Sequence, residues 1–180
     1  MKDVIAVFAS LSAPYLIADG SLLYLYRNCS VGVSDLDFSL EHNWWKKNKD
    51  DLDERLIKAG FFKIQNFGYL FGLGYEEAWT KDEVKVDIFS SVMRGSFCVI
   101  GFWVDGTLYP CSMKMEKVGV AIWRNEISVR VPMPIDEALL SIYGKNFMFP
   151  IKHWNWKLYP FLTGYCSYEQ QDWYQQSSRI

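Results

Sequence analysis

The chain has 180 residues, which suits one domain and is too short for two full domains. Half of the residues are hydrophobic and 22% are charged, so the chain can bury a core and is not an intrinsically disordered segment. The net charge of -2 excludes the global positive field that attracts nucleic acids or anionic membranes. We therefore predict one domain over residues 1–180 that holds any anionic substrate at a local site.

Helices and strands are mixed in the first third of the chain. In chain order, the pattern predicts a helix over residues 2–12, a strand over 15–18, a helix over 22–27, a strand over 35–41 and a helix over 50–59. Pro14 ends the first helix, Ser21 caps the second, and Gly60 ends the third. Residues 28–34 contain Gly32 and several small polar residues and predict a loop. The strand over 35–41 is supported by seven residues that alternate polar and apolar side chains.

Short runs of β-branched and aromatic residues dominate the second half. They predict strands over residues 61–66, 69–75, 84–90, 97–104, 107–111 and 127–131. Asp105-Gly106 predicts a hairpin turn, and a helix is predicted over 135–143, between Pro134 and Gly144. The residues after Lys145 are rich in Trp and Tyr and predict an irregular tail that packs back on the domain. This order predicts an α+β fold with a mixed sheet and flanking helices.

The apolar stretch over residues 4–18 is part of the predicted fold. It is shorter than the roughly 20 residues that span a bilayer, so no transmembrane segment is predicted. Asp3 cancels the charge of Lys2, and Pro14 interrupts the stretch, which argues against a signal peptide.

The four cysteines do not form a recognisable metal site. They are Cys29, Cys98, Cys111 and Cys166. Because they are far apart and include no Cys-x-x-Cys pair, a structural zinc site is disfavoured and buried free thiols are expected. An oxidising compartment would instead allow three different disulfide connectivities.

Three aspartates on two predicted strands are the candidate metal ligands. Asp35 and Asp37 are two residues apart on one strand, so their carboxylates project from the same face. Such oxygen ligands suit Mg²⁺ or Mn²⁺, which complete their coordination with water and substrate phosphates. Asp87 lies on the second strand, and pairing of the two strands would create a repulsion that favours a bound cation. The alternatives are a solvated strand edge for the pair and, for Asp87, an exposed acid that pairs with Lys85.

A predicted helix start upstream is a candidate phosphate site. At Gly20-Ser21, free backbone N–H groups and the positive end of the helix dipole favour an anion, and glycine allows a close approach. Arg27 lies two helical turns beyond Gly20 and returns to the same side. We predict that a phosphate binds between them. The alternative is a capped helix with a surface arginine.

The order of these motifs resembles the nucleotidyltransferase-fold superfamily and, within it, the LicD/fukutin branch. The matching segments are DGSLLYLYR (19–27), SDLDFS (34–39), VDIF (86–89), Val131-Pro132, YGK (143–145), Pro150, HWNWK (153–157) and Pro160. The resemblance covers roughly residues 16–173. Many LicD-type members carry a further carboxylate in the acidic run and a Pro-Trp pair before it, whereas Val33-Ser34 stands here.

The resemblance implies a nucleotidyltransferase-like fold with an aromatic-rich C-terminal tail, and a transferase activity. The enzyme would move a phosphorylated alcohol, of the ribitol-phosphate or phosphocholine type, from a CDP-activated donor to a glycan hydroxyl. Two Mg²⁺ or Mn²⁺ ions on Asp35, Asp37 and Asp87 would bridge the donor diphosphate, and Asp87 would help to deprotonate the acceptor. Gly20, Ser21 and Arg27 would bind donor phosphate.

The tail is the candidate acceptor site, because sugars stack on aromatic rings and lysines can hold an acceptor phosphate. The candidate residues are Lys145, Trp154, Trp156 and Lys157. The alternative for the tryptophans is core packing. Relatives of the fukutin kind have an N-terminal membrane anchor that this sequence does not show. The resemblance therefore implies the secretory or Golgi lumen if an anchor is missing, and the cytoplasm for a short member without one.

Two other functions stay open. A transferase of the same fold could attach AMP or another nucleotide to its target, and an inactive relative could act as a binding module. A glycosyltransferase of the GT-A type also uses an Asp-x-Asp motif, but it needs a nucleotide-binding α/β unit before that motif. The 34 residues that precede Asp35 are too few for such a unit.

Overall fold

The computed structural model of the chain describes residues 1–27, 35–67, 74–104, 107–124 and 126–149. Within these ranges the fold is α+β, as predicted. The helices are α1 (Lys2–Ser10), α2 (Asp19–Tyr26), α3 (His42–Lys58) and α4 (Ile135–Tyr143). The strands are β1 (Tyr15–Ile17), β2 (Asp35–Glu41), β3 (Phe62–Phe67), β4 (Glu76–Lys81), β5 (Val84–Arg94), β6 (Phe97–Val104), β7 (Thr107–Lys114), β8 (Lys117–Trp123) and β9 (Ile127–Met133).

The main sheet has seven strands and is mixed. Its central order is β1-β2-β5-β4-β3, in which only β2 and β5 pair in parallel. The end of β5 pairs with β6, which in turn pairs with β7, while β8 and β9 form a separate hairpin. A Cβ atom on Gly101 of β6 would lie 2.7 Å from the backbone N of Gly74, just before β4. Glycine therefore lets β6 meet the start of β4 along the same side of β5.

The two faces of the central strands have opposite character. Side chains alternate along a strand, so Leu36, Phe38 and Leu40 of β2 point to one face and are all buried. That face packs against α1 and α3, with the ring centroids of Phe8 and Phe38 5.3 Å apart. The other face of β2 carries Asp35, Asp37 and Ser39 and lies against α2, which also packs against α4. The alternation of apolar and polar residues along β2 thus provides side chains both for the hydrophobic core and for a polar site.

The start of α2 differs from the prediction. The helix begins at Asp19 rather than at residue 22, and Ala18 occupies the N-cap position. Ser21 therefore lies inside the first turn instead of capping the helix. The Ser21 side chain instead accepts a hydrogen bond from the backbone of β2. The local sequence does not show this contact.

The start of α3 also differs. The helix begins at His42 rather than at residue 50. The cap is the carboxylate of Glu41, which accepts hydrogen bonds from the backbone N–H groups of Asn43 and Trp44 at 3.0 and 2.7 Å. Because β2 runs directly into this cap, no glycine or proline marks the boundary.

Among the strands, the prediction misses β4 and β8. The strand predicted over 69–75 is wrong at its described end, since Gly74 and Tyr75 lie outside any strand. In contrast, β2 and α4 have the predicted bounds, and α4 is followed by Gly144 with φ of 77°. Predictions that lie outside the described residues are those for 28–34, 69–73, the turn at 105–106 and the tail from residue 150.

Two further findings concern the cysteines and the possibility of a transmembrane helix. Cys98 and Cys111 are buried thiols rather than disulfides, as expected, whereas Cys29 and Cys166 lie outside the described residues. In the described part of the chain, no helix is both long enough and apolar enough to cross a membrane.

Candidate active site

The structure brings the three predicted aspartates together at the start of two parallel strands. In the register of β2 and β5, Asp37 lies opposite Asp87 and Asp35 lies opposite Lys85. One carboxylate oxygen from each aspartate lies within 4.8 Å of the others. A single cation can contact oxygens at such spacing, and hard oxygen ligands are those that Mg²⁺ and Mn²⁺ prefer. Asp35, Asp37 and Asp87 thus form a candidate metal site, which we call the aspartate triad.

The start of α2 fixes the orientation of Asp37. The backbone N–H of Ser21 donates to Asp37 Oδ2 at 2.9 Å, and the backbone N–H of Asp37 donates to Ser21 Oγ at 2.8 Å. A Cβ atom on Gly20 would lie 3.1 Å from the same Oδ2, a tight contact that glycine avoids. The Gly-Ser motif therefore positions a carboxylate. Its predicted contact with a donor phosphate stays a prediction.

The electrostatics of the aspartate triad fit a bound cation. Asp37 and Asp87 are only 7% and 4% exposed. Burial, followed by the charges of Asp19, Asp35 and Asp87, raises the pKa of Asp37 well above its usual value. Burial also raises the pKa of Asp87, although Lys85 opposes this shift. A divalent cation would reverse these effects, because it favours the ionised carboxylates.

One carboxylate oxygen of Asp87 is also available to act as a metal ligand. Asp87 Oδ2 accepts a hydrogen bond from Lys85 Nζ at 2.7 Å. Asp87 Oδ1 is buried and receives no hydrogen bond from any group in the described ranges. A buried oxygen without a partner is costly in a folded protein, and a cation at the aspartate triad would satisfy it.

Two further acids belong to the site, and the sequence did not indicate either of them. Asp19 is 4% exposed and has φ of 40°, in the left-handed region that side chains rarely adopt. Its charge raises the pKa of Asp37. Glu76 lies on β4, two residues before Ala78, which pairs with Asp87, so Glu76 faces the aspartate triad. Burial, and then the charge of Asp87, raises the pKa of Glu76 to about 8.

These shifts predict that the metal-free protein loses stability as the pH rises. The pKa of Glu76 is 4.5 when unperturbed and about 8 in the folded protein, so the folded state binds more protons between these values. The free energy of unfolding therefore falls with rising pH across this window, and the raised pKa values of Asp37 and Asp87 act in the same direction. Thermal melting in EDTA should show a falling melting temperature, and Glu76→Gln should flatten the fall. A melting temperature that rises with pH over this range would contradict the prediction.

The remaining predicted residues lie elsewhere. Arg27 follows α2, and its guanidinium Nη2 donates to the backbone carbonyl of Phe147, beyond α4. The ring centroids of Tyr26 and Phe147 are 5.6 Å apart. Arg27 thus ties the end of α2 to the chain after α4. Lys145 is exposed in the turn after α4, and Trp154, Trp156 and Lys157 lie outside the described residues.

The fold is similar to that of a protein whose structure has been solved. The solution structure of the antibiotic-resistance factor ANT(2'')-Ia matches with a TM-score of 0.51, over 99% of this chain and 88% of that chain. The two sequences are 12% identical, so this likeness concerns the fold alone. It is consistent with the nucleotidyltransferase-like fold predicted from the sequence.

The sequence is similar to that of particular transferases. Ribitol-5-phosphate transferase FKTN of Macaca fascicularis is 25% identical, and that of Homo sapiens is 24% identical, each over 157 residues. Each match covers 83% of this chain and 32% of the relative, so the chain spans about a third of the length of these curated relatives. No known family model matches the chain. These matches indicate a distant fukutin-like relationship.

Proposed function

We propose that this chain is the catalytic domain of a metal-dependent transferase. It would move a phosphorylated alcohol, of the ribitol-phosphate or phosphocholine type, from a CDP-activated donor to a glycan hydroxyl. The main support is the aspartate triad, in which one carboxylate oxygen of each residue lies within 4.8 Å of the others, together with the buried Asp87 Oδ1, which receives no hydrogen bond from the described groups. The relatives named ribitol-5-phosphate transferase support the class of group transferred.

Each residue of the site has a proposed task. Asp35, Asp37 and Asp87 would hold Mg²⁺ or Mn²⁺, which, when bound, would offset the charge on the donor phosphates and orient them. The acceptor oxygen forms a bond to the donor phosphorus that carries the alcohol, and CMP leaves. Asp87 would accept the acceptor proton, since it is the acid outside the Asp-x-Asp pair of β2.

The donor phosphate and the acceptor have separate candidate residues. Gly20 and Ser21 at the start of α2, together with Arg27, are proposed to bind the donor phosphate. The acceptor residues are proposed to be Lys145, Trp154, Trp156 and Lys157. Their tryptophan rings would stack on the apolar faces of a sugar.

The proposed phosphate role of Arg27 leads to a prediction. Arg27→Lys keeps the charge but loses the planar fork, so donor binding should weaken by about 1–3 kcal/mol, the range for a charge-assisted hydrogen bond. Titration calorimetry with CDP and Mn²⁺ measures this change. Thermal melting of the same variant shows how much of it comes from the lost bond to Phe147. If Arg27→Ala binds CDP as tightly as the wild type, the phosphate is bound elsewhere.

Donor turnover tests the proposed function. The protein is incubated with CDP-ribitol, CDP-choline, CTP or ATP, each with Mg²⁺ or Mn²⁺ and a glycan acceptor. Release of CMP with transfer of the alcohol phosphate supports the proposal. Release of pyrophosphate with the nucleotide retained on the product would instead identify the second candidate, a nucleotide-adding transferase of the same fold, with which the likeness to ANT(2'')-Ia is consistent. Absence of turnover with every donor would contradict both and leave a binding module.

A further inference from the structure

A lysine is built into the mouth of the acidic site. Lys85 lies on β5, two residues before Asp87 and opposite Asp35 on β2. Its Nζ lies 2.7 Å from Asp87 Oδ2, and its side chain is 41% exposed, whereas that of Asp87 is 5% exposed. The lysine head therefore lies between the buried carboxylates and solvent. It is a counter-charge in the place from which a substrate would approach.

Lys85 and a metal ion compete for the same carboxylate. Asp87 offers one unpartnered oxygen, Oδ1, while its Oδ2 is held by Lys85. A divalent ion bound to the aspartate triad would be a few ångströms from the ammonium, and two cations at such a distance repel strongly in a site shielded from water. The lysine can relieve this repulsion, because its head is carried on a flexible four-carbon stem and its side chain is already partly in solvent.

The displaced ammonium would face incoming phosphate. The three aspartates, with Asp19 and Glu76 beside them, make the site strongly acidic, and a diphosphate needs cations to enter it. A metal ion would neutralise the buried carboxylates. Lys85, once released from Asp87, would supply a positive charge on the solvent side of the metal. Lysine is a common phosphate ligand because its ammonium has three donors and no fixed orientation.

We propose that Lys85 is a displaceable counter-ion: it holds Asp87 in the metal-free protein, yields the carboxylate to the metal, and then binds a phosphate oxygen of the donor. The metal half of this proposal stands on the aspartate triad itself. The phosphate half rests on the proposed function only in assuming that the ligand is a diphosphate.

The metal half is tested with Mn²⁺ alone. In the full chain, Lys85→Met removes the competing ammonium with little change in length. Calorimetry should show Mn²⁺ affinity rising about tenfold or more, because the ammonium bound to the same carboxylate no longer repels the metal. Lys85→Arg keeps the charge and should stay near the wild type. Lys58→Met is the matched control, since Lys58 is an exposed lysine that pairs with Glu54 on α3, and it should change nothing.

Salt separates direct competition from a distant charge effect. At about 0.5 M KCl, screening acts beyond roughly 4 Å, so the gain in Lys85→Met should persist if the ammonium occupies the metal's carboxylate. An affinity that does not rise in Lys85→Met, or a gain that vanishes in high salt, would overturn the proposal. If Lys85→Met does not fold, as judged by circular dichroism, Lys85→Gln takes its place with the same expectations.

The phosphate half is tested with inorganic pyrophosphate and Mn²⁺-saturated protein. Pyrophosphate should bind about tenfold more weakly to Lys85→Met than to the wild type, as expected for loss of a charged phosphate contact, while Lys85→Arg retains most of the affinity. Equal binding by Lys85→Met and wild type, or no binding by either, would overturn this half. If both halves hold but no CDP donor is turned over, the proposed reaction is wrong and the role of Lys85 stands.

Discussion

The Asp37→Asn variant is expected to lose divalent-metal binding and to lower transfer activity by roughly 10²–10³-fold or more, the loss typical of removing one preorganised charge-stabilising group. In EDTA the same variant should melt at a higher temperature than the wild type. Asp37 is buried among other carboxylates, and its pKa is raised well above the usual value, so its charge is a cost when no cation is present. Asparagine keeps an oxygen that can accept from Ser21.

Calorimetry with Mg²⁺ or Mn²⁺ and thermal melting in EDTA measure the two effects. Asp50→Asn is a suitable control, because Asp50 is an exposed acid of α3 and its loss changes the net charge equally. Asp37→Asn binding of Mn²⁺ at wild-type affinity would contradict a metal site at the aspartate triad. A lower melting temperature in EDTA would show that the carboxylate stabilises the metal-free fold.

The second large effect is expected on the opposite face of the sheet, at Glu77. This residue is fully buried, and its carboxylate lies 2.5 Å from Lys49 Nζ and 3.2 Å from Lys63 Nζ. It also accepts hydrogen bonds from Tyr75 Oη at 2.9 Å and from Trp79 Nε1 at 3.2 Å. Removal of Glu77 leaves the charges of Lys49 and Lys63 with Asp53 as their shared acid and removes the acceptor of Tyr75 and Trp79, so Glu77→Ala should lower the free energy of unfolding by about 3–5 kcal/mol.

Urea denaturation measures this loss. Burial lowers the pKa of Lys49, but its bonds to Asp53 and Glu77 outweigh burial and raise the pKa overall. The variant removes one of these two bonds and keeps the one to Asp53. The double variant Glu77→Leu, Lys49→Met should be more stable than Glu77→Ala, since the two charges leave together. Glu54→Ala breaks the exposed pair with Lys58 and should cost at most about 1 kcal/mol. A similar small cost for Glu77→Ala would contradict a stabilising role for the buried network.

The sequence was informative where a pattern is local. The alternation over Asp35–Glu41 predicted β2 with its observed bounds, because a half-buried strand imposes a period of two on its side chains. The same rule placed Asp87 on the opposite face from its apolar neighbours. The meeting of Asp37 with Asp87 depends on strand pairing between residues 50 positions apart, and local sequence shows this only if the strands are assumed to be neighbours.

The acids that the sequence missed are those set by distant contacts. β4 carries a buried Glu77, which breaks the expected apolar pattern, and the lysines that compensate this charge come from α3 and β3. Without knowledge of these lysines, β4 could not be recognised from the sequence, and Glu76 could not be placed beside the aspartate triad. Asp19 lies before the helix predicted over residues 22–27, and its effect on Asp37 depends on the packing of α2 against β2.

Glu76 and Glu77 are adjacent in the chain, yet they serve different purposes on the two sides of one strand. The first faces the acidic site, and the second anchors two lysines in the interior. Since the side-chain period of a strand is two, deletion of one residue within β4 would exchange their environments. A carboxylate that pairs with lysines would then enter a cluster of acids, and the lysines would keep only the pair with Asp53. Length changes in this strand should therefore be far rarer among natural variants than exchanges of side chains on its exposed part.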